Sequence, residues 1–548
     1  MKNRRKTITR AVLAALAAAV ALSGLVLTGC EESGGTTMWF ESPMKKILEN
    51  TEPVNRPDYT VYMAREEYEG CQAVFRYKYT VGSARVEVSE PVNEKGAVLK
   101  YEVFAEHYVP TVYSLPFFAD ETLNGVAANY PDALKPLPDE IPFYSNTSTP
   151  VYILFDSHGA EAGDYRSTVT VTENGKVLDS GEITIHVWQF ELPAKKTMQT
   201  AVGLSRSDIA ALHNLTDSDE IKEIYKKYYD FLLEHNCSSY TLPYDILDER
   251  ADKYMDDPRV TSFRVPYSDN DDTIRAYYRK LSTKQEWLKK AYFYPIDEPA
   301  EYSDYMRIID AGRRLGGLFP GYRLCVPFFI DPEMGDGSDA ITQAAEVINV
   351  WCPKLHVFDS SNIYNDVQMA REKPFAERML DERREGDDVW CYVCWEPGDP
   401  YANLYVNMQG VKNRAIFWQA DVYGVNGFLY WRVNFWEQIK DPWKDQNTVK
   451  WLTSYVYGDG SLVYNGNAVG VDGACSSLRL EAVRDGVDDY ELIQMARRLG
   501  VPEKVVEKAV GIVARSVSDY TDSDGDIRNA RYILGTLIER EYLKTAGK

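Results

Sequence analysis

Two adjacent carboxylates, Asp297 and Glu298, close the apolar run Ala291-Tyr292-Phe293-Tyr294-Pro295-Ile296, and Pro299 follows at once. Acids placed where a strand gives way to a helix suit acid/base chemistry, because parallel α/β folds collect their reacting groups at the carboxyl ends of strands. Hydrolysis of a glycosidic bond needs such groups: one carboxylic acid protonates the leaving oxygen, and a second group stabilises or attacks the cationic sugar carbon. Ordinary retaining enzymes bring the pair from different strands to ~5–5.5 Å, whereas neighbours on one strand point in different directions. Adjacency therefore favours substrate-assisted hydrolysis. In that chemistry the 2-acetamido oxygen of the sugar attacks, one carboxylate orients the amide, and the other acts as acid and then base. The competing structural role is a helix N-cap, since acids in a first turn complement the helix dipole.

Aromatic and amide side chains gather at other strand ends: Trp351 before Cys352-Pro353, Tyr392 ahead of Trp395-Glu396-Pro397-Gly398, and Trp431 with Asn434 and Trp436 in Trp431-Arg432-Val433-Asn434-Phe435-Trp436. Aromatic faces stack on sugar rings and Asn hydrogen-bonds hydroxyls, so Trp351, Tyr392, Trp431, Asn434 and Trp436 are the substrate-binding candidates. Glu396 is a further carboxylate, and it would be the nucleophile of a glycosidase acting on a different sugar. A third reading is a catalytically silent surface protein that binds glycan unchanged. No G-x-S-x-G elbow, H-E-x-x-H helix, P-loop or dinucleotide fingerprint occurs, and there are six histidines, so no metal or cofactor is expected.

These residues need a parallel scaffold. Apolar strands at 198–204, 239–242, 260–265, 291–296, 322–328, 347–351, 389–394 and 427–431 alternate with helical stretches at 219–235, 273–290, 302–315, 365–384 and 411–423. This predicts a (β/α)₈ TIM-like barrel over 193–475. Before it, short alternating segments separated by turns predict a β-sandwich over 39–192. After it, a strand at 475–482 and helices at 487–499, 503–518 and 526–543 predict a cap on the barrel over 476–548. The fold class is thus multidomain β plus α/β with a C-terminal helical extension. The charged stretch Arg484-Asp485-Gly486 is expected to be structural.

Residues 1–30 read as a lipoprotein signal peptide. A basic start leads into an apolar run and then Leu27-Thr28-Gly29-Cys30, in which Cys30 would be lipidated and anchor the protein to a bilayer outside the cytoplasm. Residues 31–38 would be the tether. A net charge of −22 disfavours nucleic acid and anionic lipid, and disfavours polyanionic glycans unless a local basic patch receives them. The other seven cysteines are scattered and odd in number, which points to buried free thiols rather than a disulfide framework.

The chain resembles glycoside hydrolase family 123, the β-N-acetylgalactosaminidases, and the bacterial proteins sharing their catalytic domain. The likeness rests on Ala64-Arg65-Glu66-Glu67-Tyr68-Glu69, Ala162-Gly163-Asp164-Tyr165, Asp297-Glu298-Pro299, Asn349-Val350-Trp351-Cys352-Pro353, Phe417-Trp418-Gln419-Ala420, Gly427 to Trp431, and Arg479 to Glu491. It implies a β-sandwich, a catalytic (β/α)₈ barrel and a metal-free, acetamido-assisted mechanism. Asp297 would then polarise the acetamido group and Glu298 would be the general acid/base. The implied substrate is a glycan with terminal β-linked N-acetylhexosamine, N-acetylgalactosamine above all. The segment Cys391 to Pro397 departs from the small, glycine-containing version expected there.

Overall fold

The computed structural model describes residues 37–111, 128–328, 340–359, 375–451 and 454–546. The expected signal peptide, Cys30 and nearly all of the tether lie outside them.

Period-two alternation builds the N-terminal region. In Gly163–Glu173, Tyr165, Ser167, Val169 and Val171 are buried while their neighbours are more open, so one face packs and the other meets water. One sheet orders Met38–Glu41, Tyr68–Phe75, Thr149–Asp156, Lys100–Thr111 and Ala128–Pro136. The second orders Asp58–Arg65, Lys176–Glu191, Gly163–Glu173, Val81–Val88 and Ile141–Phe143. Phe40, Phe75, Phe155, Val169 and Ile185 belong to the single core that the two sheets share.

Beyond residue 198 the ladder becomes parallel. A five-stranded sheet orders Gln199–Val202, Gly427–Tyr430, Asp388–Val393, Val350–Pro353 and Cys325–Phe328, and Phe263–Arg264 pairs with Ala291–Tyr292 beside it. Single parallel bridges, Val202 to Ser239 and Phe293 to Leu324, join these pieces. The hydrogen bonding therefore draws a five-stranded and a two-stranded parallel unit, not the regular eight-stranded ladder expected of a (β/α)₈ barrel. Side chains explain the gaps. The buried hydroxyls of Thr200, Ser238 and Thr261 accept from the backbone N–H of Ser238, Thr261 and Thr200 respectively, at 2.9, 2.8 and 2.9 Å, and so intercept ladder donors. Pro295 removes the next donor on the strand that leads to Asp297.

The C-terminal helices are Leu478–Arg498, Glu503–Val513 and Asp524–Ala546. The strand expected at 475–482 is cut short: Ala474–Cys475 pair with Tyr464–Asn465, Ser477 makes a single bridge to Ala133, and the Ser477 hydroxyl then caps a helix by accepting from the Leu480 N–H at 3.1 Å. Charges on this helix are buried against the sandwich. Arg479 donates to Asp132 at 2.7 Å with both side chains wholly enclosed, and Arg414 joins Glu69, Asp485 and Asp489. Arg484 pairs with Asp485 and Glu481 inside the fold, which is the structural role expected of it. A Cβ on Gly486 would come 2.2 Å from the Phe417 ring, so only glycine lets Leu478–Arg498 and Gly410–Val422 approach this closely. The seven described cysteines are all free and buried. Among the described residues no helix is long and apolar enough to cross a membrane.

Candidate active site

Side chains of alternating register on the parallel strands, among them Tyr292, Cys352, Trp390, Tyr392 and Leu429, pack together on one face of the sheet. Tyr240, Tyr294, Trp395 and Trp431 lie against that layer and are less enclosed. Directly beyond them opens a cavity of about 420 Å³ whose walls include Asp297, Glu298, Tyr392, Trp395, Trp431 and Asp459.

The two carboxylates part company immediately after the strand. Asp297 accepts from the Tyr294 hydroxyl at 2.5 Å, whereas Glu298 Oε1 accepts from the Tyr392 hydroxyl at 2.5 Å and lies 3.5 Å from the Lys354 ammonium. Glu298 sits at φ +40°, a left-handed conformation that a residue with a Cβ adopts at a cost of about 1–3 kcal/mol. That turn is what sends consecutive side chains to different partners. Asp297 is exposed at the cavity mouth, with the protein around it withdrawing part of its hydration. This partial desolvation raises its carboxyl above the usual range; the Tyr294 hydroxyl offsets part of the rise and the neighbouring Glu298 adds to it.

Lys354 is wholly buried and also reaches Glu396 Oε2 at 3.3 Å. Burial alone would lower its ammonium, but Cys394, Glu298 and Glu396 outweigh that and hold it above its ordinary value. The Trp395–Pro397 segment is pinned from beneath: Asn403 donates to the Cys394 and Pro397 carbonyls at 3.0 and 2.8 Å, and the Tyr405 hydroxyl donates to Trp395 O at 2.7 Å.

Trp431 is fixed by its indole N–H, which donates to Asp459 Oδ1 at 2.9 Å, and by two close backbone approaches. A Cβ on Gly460, at φ +70°, would fall 2.4 Å from the indole, and one on Gly203 would fall 1.9 Å from the Trp431 carbonyl oxygen. Burial pushes the Asp459 carboxyl up to about 7, against donors from Trp431 and Tyr430 that favour its charged form. A carboxyl raised in this way contributes stability that is fully present below its unfolded value of ~3.9 and is lost as pH rises through about 7. Asp459→Asn keeps an acceptor for Trp431 and removes the titration. The variant should gain thermal stability over the parent at pH 8 and little at pH 5; parallel melting curves across that range would refute the assignment.

Of the five sequence-derived sugar contacts, Tyr392 and Trp431 line the cavity. Trp351 is a correction: it has no exposed surface, stacks with Phe328 at 5.9 Å and donates to Asp387 at 3.2 Å within the core. Asn434 is another, since it exchanges hydrogen bonds of 2.8 and 2.9 Å with the Ser205 backbone and is fully buried. Trp436 packs in the same core beside Tyr228 and accepts no place in the cavity wall. Tyr294, Lys354 and Asp459 were not anticipated. Among the described residues there is no cluster of three or more His, Cys, Asp or Glu that could hold a metal ion.

Residues 332–496 match the glycoside hydrolase 123 catalytic-domain model. Over that stretch the chain resembles the family 123 glycoside hydrolases. The matched stretch contains Lys354, Tyr392, Trp431 and Asp459 and begins after Asp297-Glu298, so the carboxylate pair stands on geometry. Over the whole fold the chain resembles a family 123 glycoside hydrolase from Clostridium perfringens, at 12% identity and a TM-score of 0.63, with 93% of this chain and 99% of that one covered. A family 39 glycoside hydrolase from Bacteroides cellulosilyticus WH2 is far more distant, at 7% identity and a TM-score of 0.31, covering 81% and 82%. No curated protein matches the chain.

Proposed function

We propose that this family 123 domain hydrolyses terminal β-linked N-acetylhexosamine, N-acetylgalactosamine first, by substrate-assisted retaining catalysis. Asp297 orients the 2-acetamido group and bears its developing charge; Glu298 protonates the leaving oxygen and then activates water. The observation that carries this is the divergence of two consecutive carboxylates onto separate hydroxyl donors, Tyr294 and Tyr392, at the rim of one cavity. An acid whose Oε1 is already anchored keeps its second oxygen for proton transfer, and a partly desolvated Asp beside it suits an amide N–H better than bulk water would. Trp395, Trp431 and Phe435 supply faces for the ring.

The same reading takes the parallel units as a (β/α)₈ barrel. Its support is the bridge to Ser239, the Arg264 N–H bond to Tyr240 O at 2.9 Å and the bridge from Phe293 to Leu324, which connect the strands edge to edge. Lipid anchoring through Cys30 outside the cytoplasm remains the proposal for the N-terminus, supported by Leu27-Thr28-Gly29-Cys30.

A second reading rests on Lys354, which bridges Glu298 and Glu396 and so brings a further carboxylate to the site. Glu396 would then be a nucleophile on a sugar without an acetamido group. The deciding experiment is release of p-nitrophenol from β-GalNAc, β-GlcNAc and β-galactoside substrates. Cleavage confined to the acetamido sugars supports assistance by the substrate; cleavage of the galactoside, with a 2-fluoro sugar trapped on Glu396, supports the second reading. Inertness on all three with glycan binding retained would leave a binding protein.

A further inference from the structure

Beside the catalytic cavity lies a second one of about 420 Å³, sharing Tyr294, Asp297 and Trp431 with it and walled by Tyr240, Arg264 and Arg432. In a chain of net charge −22, two guanidiniums in one cavity wall next to the reacting carboxylates are a local concentration of positive charge. Arg264 is half-buried at the end of Phe263–Arg264, its guanidinium carbon 5.5 Å from the Tyr240 ring centroid. Among the described residues it has neither an ion pair nor a side-chain hydrogen bond. Arg432 is less free: it lies 3.6 Å from Asp208 and rests over the Trp431 and Phe435 rings at 5.8 and 5.9 Å. A half-buried guanidinium with its fork unused is set to bind a planar or tetrahedral oxyanion bidentately. The hydroxyl-bearing residues Ser205 and Thr241 lie in the same wall.

We propose that this second cavity is a subsite for an anionic substituent of the glycan, a sulfate ester or a uronate carboxylate, received by Arg264 with help from Arg432. This rests on the reading of Asp297 and Glu298 as the catalytic pair, because it is their sugar whose substituent or neighbour reaches the arginines. Arg264 would give an anionic substituent a short-range partner that so acidic a protein otherwise withholds.

The test reads binding in the hydrolytically silenced Glu298→Gln protein, by calorimetry at low ionic strength. One arm compares methyl β-N-acetylgalactosaminide with its 6-O-sulfate, and the other compares N-acetylgalactosamine β1,4-linked to galactose with the same sugar linked to glucuronate. At least one anionic ligand should bind about tenfold more tightly than its neutral twin. Adding Arg264→Gln should collapse that ratio towards one, and Arg264→Lys should retain part of it. Raising the salt should shrink the preference. Preference in the sulfate arm places the anion on the terminal sugar, and preference in the uronate arm places it on the next. Ratios near one in both arms, or a ratio that survives Arg264→Gln, overturn the proposal. Because the readout is binding, failure of the unmodified protein to hydrolyse any acetamido sugar would overturn the catalytic reading separately.

Discussion

Glu298→Gln should lower kcat on a β-N-acetylgalactosaminyl disaccharide by about 10²–10⁴-fold, the range lost when a positioned general acid/base is removed. The loss should be smaller on the p-nitrophenyl glycoside, whose phenolate leaves without needing a proton, and that difference is the signature of an acid acting on the leaving group. On the proposed assignment Asp297→Asn should instead reduce both substrates alike, since the acetamido group would have to be oriented whatever departs. The backbone allows a further separation. Glycine enters the φ +40° conformation of Glu298 without steric penalty, so Glu298→Gly should melt above Glu298→Ala, which loses the same Tyr392 and Lys354 contacts but keeps the strain, while both abolish hydrolysis. A Glu298→Gln loss below tenfold on both substrates would remove this residue from the chemistry.

Strand parity decides which of these residues the sequence alone exposes. Asp297-Glu298 stood out because an apolar run ended in acids and a proline, and no register was needed to see that. Tyr392 and Trp431 share register with Trp390, Cys394 and Leu429, so they rise from the layer beneath the cavity. Trp351 lies one position out of step with Val350 and Cys352, which puts it on the opposite face in the core. A single residue of register decides between ligand and core, and a strand end read without its pairing does not contain it. Asn434 and Trp436 are enclosed for a different reason: they follow the strand into a segment that turns back onto Ser205 and Asp208. Asp459 comes from a loop after an antiparallel hairpin, Asn447–Trp451 with Ser454–Tyr457, distant in sequence from the parallel strand end whose Trp431 it holds. Arg264 lay on the strand with the weakest pattern, two paired residues long. The sandwich was clearest because alternation there reports one buried face directly. The parallel region was harder because its strands are buried on both faces and threonine and serine hydroxyls replace part of the ladder.

Removing the buried cation should have the second large effect. In Lys354→Met a side chain of similar length loses its charge, leaving Glu298 and Glu396 facing each other without the ammonium that lies 3.5 and 3.3 Å from them. Breaking a fully buried pair costs about 3–5 kcal/mol, but both carboxylates here retain about a third of their exposure, so a loss of roughly 1–3 kcal/mol in unfolding free energy is expected. Catalysis should fall by kcat more than by KM, because Lys354 touches Glu298 rather than the sugar. The double variant Lys354→Met/Glu396→Gln discriminates between the two consequences: it should recover part of the stability, by removing one uncompensated charge, and none of the rate. The pH dependence has a definite sign. The folded protein holds the Lys354 ammonium above its ordinary value, so its contribution is fully present below the unfolded value of ~10.4 and is lost only as pH rises through the higher folded one. The gap in stability between the parent and Lys354→Met should therefore persist through neutral pH and narrow only in strongly alkaline buffer. A gap that closes already between pH 7 and 9, or a double variant that restores the rate, would mean that Lys354 fills space beneath Glu298 and does not position it by charge.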